Sequence, residues 1–411
     1  MTVHNPVPPP AQAEPPSWVP APEEALEASP RALLDILVAF PTVSSRGNRA
    51  LLNWVDAWLR AHGAETGQVL DETGAKASLY AHVGPAEAGG VILSGHVDVV
   101  PVEGQDWTTD PFTVAERDGR LYGRGTCDMK GFVALALWAM GQAAHRPLAR
   151  PLQIALTRDE EIGCIAAPGL LAEMAARGVP LASEAIIGEP TNMACVTGHK
   201  GGFGYWIDAH GYEVHSSIMH TGVNAIMEAA RVIQWANDRN AANAAEPPTD
   251  LAAAFEPPWT TVHTGRIEGG TAHNITAGHC AFGVDFRVVP GEDMDGWRRA
   301  LLAELDRVEA GMRAVAPTAR LDRADRFHVP ALRPEEAGAA EGLVRGITGD
   351  NGLHVVSYGT EAGQFQEAGY SAVVCGPGDI AQAHQPDEFL STAQFAAGQR
   401  FLEKLLDRIS L

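Results

Sequence analysis

Residues 91–98 read Val91-Ile92-Leu93-Ser94-Gly95-His96-Val97-Asp98. Three aliphatic residues in a row, followed at once by small and polar ones, read as a buried strand reaching its end. Side chains two apart on an extended segment share a face, so Asp98 can reach the imidazole of His96. A carboxylate there fixes the tautomer and leaves the other ring nitrogen free for a metal. From this pair alone, a core histidine beside a turn aspartate is the plainer reading.

Further along the chain the same arrangement recurs. Gly123-Arg124-Gly125-Thr126-Cys127-Asp128-Met129-Lys130-Gly131 puts Asp128 in a glycine-flanked loop before an apolar helix at about 129–144, where an N-cap role also explains it. Thr157-Arg158-Asp159-Glu160-Glu161 sets three acids directly after the apolar run Leu152–Leu156. A solvated acidic loop is one reading, but acids stacked on a buried strand end repel one another unless a cation gathers them. Gly188-Glu189-Pro190-Thr191 follows Ala185-Ile186-Ile187, and His384 follows the run Ala372–Cys375. Ligand types thus recur at the carboxyl ends of three or four predicted parallel strands, where open α/β sheets build their sites. Two imidazoles with several carboxylates suit zinc, cobalt or manganese. More carboxylates than one ion needs points to two ions sharing a bridging acid.

The alternation of strands and helices around these motifs, with a hairpin at Asp118-Gly119, predicts an α/β sheet covered by helices. Near Gly198 the pattern changes to alternating, half-exposed strands at about 204–210, 260–267 and 281–288, with helices at about 224–237 and 293–308. The simplest arrangement is an α/β domain over 29–196 and 309–411, interrupted by an α+β insertion at 197–308. Residues 240–258, rich in Ala, Asn and Pro, read as a surface loop, and the Pro-rich residues 1–28 as a disordered arm.

Composition sets the outer limits. The 411 residues allow two or three domains, and 45% hydrophobic residues suffice for real cores. A net charge of −21 repels phosphate backbones and anionic lipid, so neither nucleic acid nor a membrane is an expected partner. No apolar run reaches the roughly 18 residues of a spanning helix. The N-terminus lacks the basic and apolar regions of a signal peptide. Cys127, Cys164, Cys195, Cys280 and Cys375 are an odd set without C-x-x-C spacing, which reads as free, buried thiols in a cytoplasmic protein.

Taken together, SGHVDVVP, YGRGTCDMKG, TRDEEIG, IIGEPT, the HSS at His215 and GPGDIAQAHQPDEF resemble the M20 metallopeptidase/deacylase family, in order and from about residue 30 onward. The resemblance implies a phosphorylase/hydrolase-like zinc-peptidase catalytic domain with an inserted, ferredoxin-like domain serving as lid and homodimer contact. It implies two divalent ions, zinc first, with cobalt or manganese as alternatives. His96 and Glu189 would hold one, Glu161 and His384 the other, with Asp128 bridging. Glu160 would be the general base and Asp98 would orient His96, and the peptide bond after Asp128 would be cis. His215 would reach the partner subunit's active site and donate to the oxyanion, with Asn274 and Arg287 among the substrate contacts.

The implied reaction is amide hydrolysis of a small N-acyl amino acid, with N2-acetyl-L-ornithine the first substrate. Another N-acyl amino acid, a succinylated diamino acid or a dipeptide keeps the same site. A binding homologue without catalysis is a further reading, against which the intact set of acids and histidines argues. Tyr358-Gly359-Thr360-Glu361-Ala362 resembles the substrate loop of the branch acting on acetylornithine. There Glu361, beside Thr360, could pair with the δ-ammonium; a surface glutamate in a turn is the other reading. Lys200, at the domain junction, could serve structure or substrate. Departures from the family pattern fall at Glu213-Val214 and Ile218-Met219-His220, around His215, and at Cys127.

Overall fold

Strands Val91–His96 and Leu152–Thr157 have every residue buried, as continuous apolar runs between two helical layers require. In the computed structural model, which describes residues 11–12 and 14–411, they form the centre of an eight-stranded sheet. Its order is Glu65–Leu70, Ala77–Val83, Leu152–Thr157, Val91–His96, Glu184–Ile187, Ser371–Val374, Val196–His199, His354–Val356. Leu152–Thr157, Val91–His96, Glu184–Ile187 and Ser371–Val374 run parallel, and antiparallel partners flank them. Four strands therefore end on the same edge.

Helix Pro30–Ala39 starts where Ser29 Oγ accepts from Ala32 N, and buries Leu33, Leu34, Ile36 and Leu37. Helix Lys130–Ala144 is buried almost all round, which marks a helix held between other layers. A small sheet pairs Phe389–Ser391 with Arg120–Tyr122, and that strand with Ala115–Arg117 across the Asp118-Gly119 turn. This pairing lays the segment after His384 along the segment before Asp128.

The described chain divides into two units: residues up to Thr197 with Pro334–His354 and Thr360–Leu411, and Gly198–Arg333 with Val355–Gly359. In the second unit, Thr261–His263, His279–Val288, Gly201–His210 and Arg320–Val329 form an antiparallel sheet, with Ile267–Gly269 beside His279–Val288. His279–Val288 alternates buried and half-buried, the mark of a sheet covered on one face. Helices Ala225–Ala245 and Met294–Val315, capped by Asn224 and Asp293, pack with it.

Three sequence expectations need correction. The segment read as a return to the α/β domain at 309 holds Arg320–Val329, which pairs along Gly201–His210 in the second unit. Its half-exposed pattern belongs to that sheet. The loop expected from residue 240 is helical to Ala245. Asn240 exchanges hydrogen bonds with Val262 at 2.7 and 2.9 Å, and Asn243 donates to Thr260 O at 2.7 Å, so tertiary contacts extend an alanine-rich helix. Of the expected arm, 1–10 and 13 lie outside the described residues, but Pro22–Ala25 forms a 3-10 turn with Ala25 buried. Trp54 and Trp58 donate their indole hydrogens to Pro20 O at 2.8 Å and Ala25 O at 2.9 Å.

Candidate metal centre

His96 closes its strand with Nδ1 at 2.9 Å from the backbone carbonyl of Asp98. That contact places the proton on Nδ1 and turns Nε2 toward Asp128 Oδ1 at 2.9 Å and Glu189 Oε1 at 3.8 Å. The Asp98 carboxylate lies near Nδ1 too, with Oδ1 at 3.7 Å, but its hydrogen bonds go elsewhere. It accepts from Ser44 Oγ at 2.7 Å, Glu160 N at 3.2 Å and Glu161 N at 3.4 Å. Orientation of His96 by Asp98 runs through the main chain, and the side chain instead fixes the turn that carries the two glutamates.

That turn separates its three acids. Asp159, in the left-handed region at φ 58°, is buried and paired with Lys76 and Arg158, so it is withdrawn from the cluster. Glu161 Oε2 lies 2.9 Å from His384 Nε2, which is also 3.2 Å from Asp128 Oδ2. Glu160 accepts a hydrogen bond from Cys164 Sγ at 3.0 Å. Glu189 follows Gly188, where a Cβ would stand 2.0 Å from the Phe132 ring; only glycine lets the strand end that close to the helix. The peptide bond after Asp128 is cis.

Two groups of ligand atoms result, His96–Asp128–Glu189 and Asp128–Glu161–His384, each within 4.8 Å and sharing Asp128. Burial pushes Glu160 up to about 7, and burial with the nearby Asp128 charge pushes Glu161 up to about 8. Glu189 is raised by the same two causes. Burial opposes charge on Asp128 too, but hydrogen bonds with His384 and His96 hold it below the usual carboxylate range. His384 is pushed up to about 10 by Asp128 and Glu161. Acids that resist ionisation around imidazoles that hold their protons form a cluster short of positive charge. Glu161 Oε1 is buried with no hydrogen-bond partner. The residues present fit two divalent cations, with Asp128 between them.

Glu361 belongs to the same unit and is fully buried rather than on a surface turn. Ser94 Oγ, two residues before His96, lies 3.5 Å from its Oε2, and its Oε1 has no hydrogen-bond partner. Burial pushes its carboxyl up to about 7. It opens the short helix Ala362–Glu367, whose Gln364 donates to Cys164 O at 2.8 Å. Thr360 Oγ1 accepts from Ala362 N at 3.1 Å and so caps that turn.

The other expected substrate contacts lie in the second unit. His215 is exposed, its Nδ1 2.8 Å from Ser217 Oγ, and the neighbouring Ser216 N donates to Asn274 O at 2.9 Å. Arg287 is half-buried on His279–Val288, with its guanidinium 5.9 Å from the Phe327 ring centre. Lys200 is buried and donates to Pro257 O at 2.7 Å and Trp259 O at 2.8 Å, contacts that match the structural one of its two expected roles. The five cysteines are free and buried.

Sequence reading missed Ser44, Gln105, Arg124, Cys164 and Glu388. Arg124 and Glu388 stand inside quoted motifs, but they meet across 264 positions, and no local pattern signals that pairing.

The comparisons agree with this geometry. The model of peptidase family M20/M25/M40 matches residues 92–408. The chain is 38% identical to an acetylornithine deacetylase of Myxococcus xanthus, over 88% of this chain and 92% of that one. It is 33% identical to one of Proteus mirabilis, over 91% and 95%. Among solved structures, an M20 family metallo-carboxypeptidase from Sulfolobus solfataricus superposes with a TM-score of 0.73 at 17% identity, covering 92% of this chain and 98% of that one. A dinuclear metal binding M20 peptidase from Bacillus subtilis gives 0.59 at 14%, covering 94% and 99%. With its family model matched over most of its length and its ligand groups assembled at one sheet edge, the chain belongs to peptidase family M20/M25/M40 and is a metal-dependent hydrolase.

Proposed function

We propose that the protein hydrolyses the amide of N2-acetyl-L-ornithine, giving L-ornithine and acetate, with two divalent ions, zinc first, held by His96, Glu189, Asp128, Glu161 and His384. The observation that carries the substrate assignment is Glu361, a fully buried carboxylate without a full set of partners, beside the strand that ends in His96. A side-chain ammonium satisfies such a group; the neutral side chain of another N-acyl amino acid does not. The names of the curated relatives support the same reading.

Two ions bound there supply Lewis-acid polarisation of the acyl carbonyl and lower the pKa of a water to near neutrality. Glu160, with a carboxyl pushed up to about 7, takes the proton from the attacking water and returns it to the departing amine. Cys164 holds one oxygen of Glu160, and the Asp98 carboxylate holds the backbone of its turn. Glu161, with a buried oxygen that has no protein partner, is left to the ion.

The proposal extends to a homodimer through the second unit, with His215 reaching the partner's site as an oxyanion donor. Tyr212, Ile218, Met219, Ile226, Met227 and Ile275 are exposed there, close in sequence or by pairing to His215, and a second copy would cover them. On this reading the product serves arginine biosynthesis in the cytoplasm.

The test is release of free amine by zinc- or cobalt-loaded protein from N2-acetyl-L-ornithine, N-acetyl-L-methionine, N-formyl-L-methionine and N-succinyl-diaminopimelate. Acetylornithine should give the highest kcat/KM. A higher value for any of the others overturns the substrate assignment and leaves the hydrolase.

A further inference from the structure

Arg124 and Glu388 form an ion pair at 2.7 Å in which both side chains are only 1% exposed. Neither touches a ligand side chain. Glu388 Oε1 accepts from Cys127 N at 2.9 Å and Asp128 N at 3.1 Å, so it grips the main chain of the acid common to both ligand groups. Arg124 lies 3.3 Å from Gln385 O and 3.4 Å from Pro101 O, and donates to Gln105 Oε1 as well, with its guanidinium 5.0 Å from the Trp107 ring centre. Gln105 in turn donates from Nε2 to His384 O at 2.9 Å.

The segment held in this way is one that would not keep its shape unaided. His384 and Asp387 both stand in the left-handed region, at φ 63° and 55°, where residues other than glycine are strained. Thr108 N and Oγ1 each meet the Asp387 carboxylate at 2.9 Å. Residues 101–108 therefore fix residues 384–388, and Arg124 with Glu388 joins both to the Asp128 loop.

We infer that Arg124, Glu388 and Gln105 are positioning residues that set the His384 and Asp128 loops to one another and thereby fix the affinity of the ion shared by Asp128, Glu161 and His384. The inference rests on the two-ion reading above. Removing a hydrogen-bond partner of a ligand side chain weakens binding by about 10- to 100-fold, and a hold on the ligand's main chain acts through the same placement, at about the tenfold end of that range. Gln105 holds the His384 main chain directly and reaches the Asp128 loop only through Arg124, whereas Glu388 holds Asp128 itself, which both ions need.

The test is zinc titration of the full-length protein by calorimetry, with cobalt absorption as a second reading and His384→Ala to identify which affinity belongs to that side. Gln105→Ala should weaken the His384-side ion at least about tenfold and leave the other within about threefold, with unchanged circular dichroism. Glu388→Gln should weaken both. Gln105 is half-exposed, so its variant decides the matter even if Glu388→Gln does not fold. Unchanged affinities in Gln105→Ala, or equal loss at both sites, overturn the inference. A wild-type protein that takes up no zinc overturns the two-ion reading instead.

Discussion

The carboxylate of Asp98 accepts from the backbone nitrogen of Glu160 at 3.2 Å, so the residue two places after His96 fixes the turn that carries Glu160. Because His96 is oriented by the Asp98 carbonyl, Asp98→Ala should leave zinc affinity within about tenfold of wild type. The same variant should lower kcat by about 100-fold or more, as the Glu160 turn loses its acceptor. Zinc titration and steady-state kinetics on one preparation check both. Loss of zinc equal to that of His96→Ala would return the orienting role to the carboxylate.

The contact of Cys164 with Glu160 gives a graded series. Burial keeps the Cys164 thiol well above its ordinary pKa, so it remains protonated and a donor. Cys164→Ser keeps a donor and should stay within about threefold of wild-type kcat. Cys164→Ala should lose about tenfold in kcat with little change in KM, the scale of one hydrogen bond to a charged group. Glu160→Ala should abolish turnover while zinc content stays at two per chain. Measured kcat, KM and metal analysis separate these effects.

Glu361→Gln keeps the volume of the side chain and removes its charge. The kcat/KM for N2-acetyl-L-ornithine should fall by about 10- to 100-fold, the value of a charge-assisted pair, while N-acetyl-L-methionine changes by less than about threefold. Equal losses on both substrates would assign Glu361 to the scaffold.

His199 gives a pH dependence away from the metal centre. It is buried, with Nδ1 2.9 Å from Lys200 O, and burial lowers its pKa to about 4. An unfolded chain protonates this histidine near the ordinary 6.5, so between about 6.5 and 4 the unfolded state binds more protons. Stability should therefore fall as the pH is lowered through that window, by about 3 kcal/mol for this one group. Urea unfolding at pH 7 and pH 4.5, for wild type and His199→Gln, reads the difference. The variant should lose much of the slope.

The individual stations of the site were legible in the sequence because each is local. A buried strand announces itself by an apolar run, and the polar residue that follows lands at the sheet edge, as with His96, Glu161 and Glu189. The hairpin at Asp118-Gly119 and the helix after Asp128 are equally local, set by turn chemistry and by an unbroken apolar stretch. These features fixed the class of fold and the kind of chemistry.

Only the tertiary structure decided how the three acids of Thr157–Glu161 divide their work. Lys76 lies 83 positions from Asp159 and draws it out of the cluster, and Cys164 holds Glu160 only because the turn folds back at left-handed φ. It also decided that Glu361 is buried, that Lys200 is spent on two carbonyls, and that Arg124 meets Glu388. Each of these is a pairing between distant segments. Sequence records the two residues and their types, but the energy that matters, desolvation of a charge with or without a partner, exists only once the sheet has brought them together.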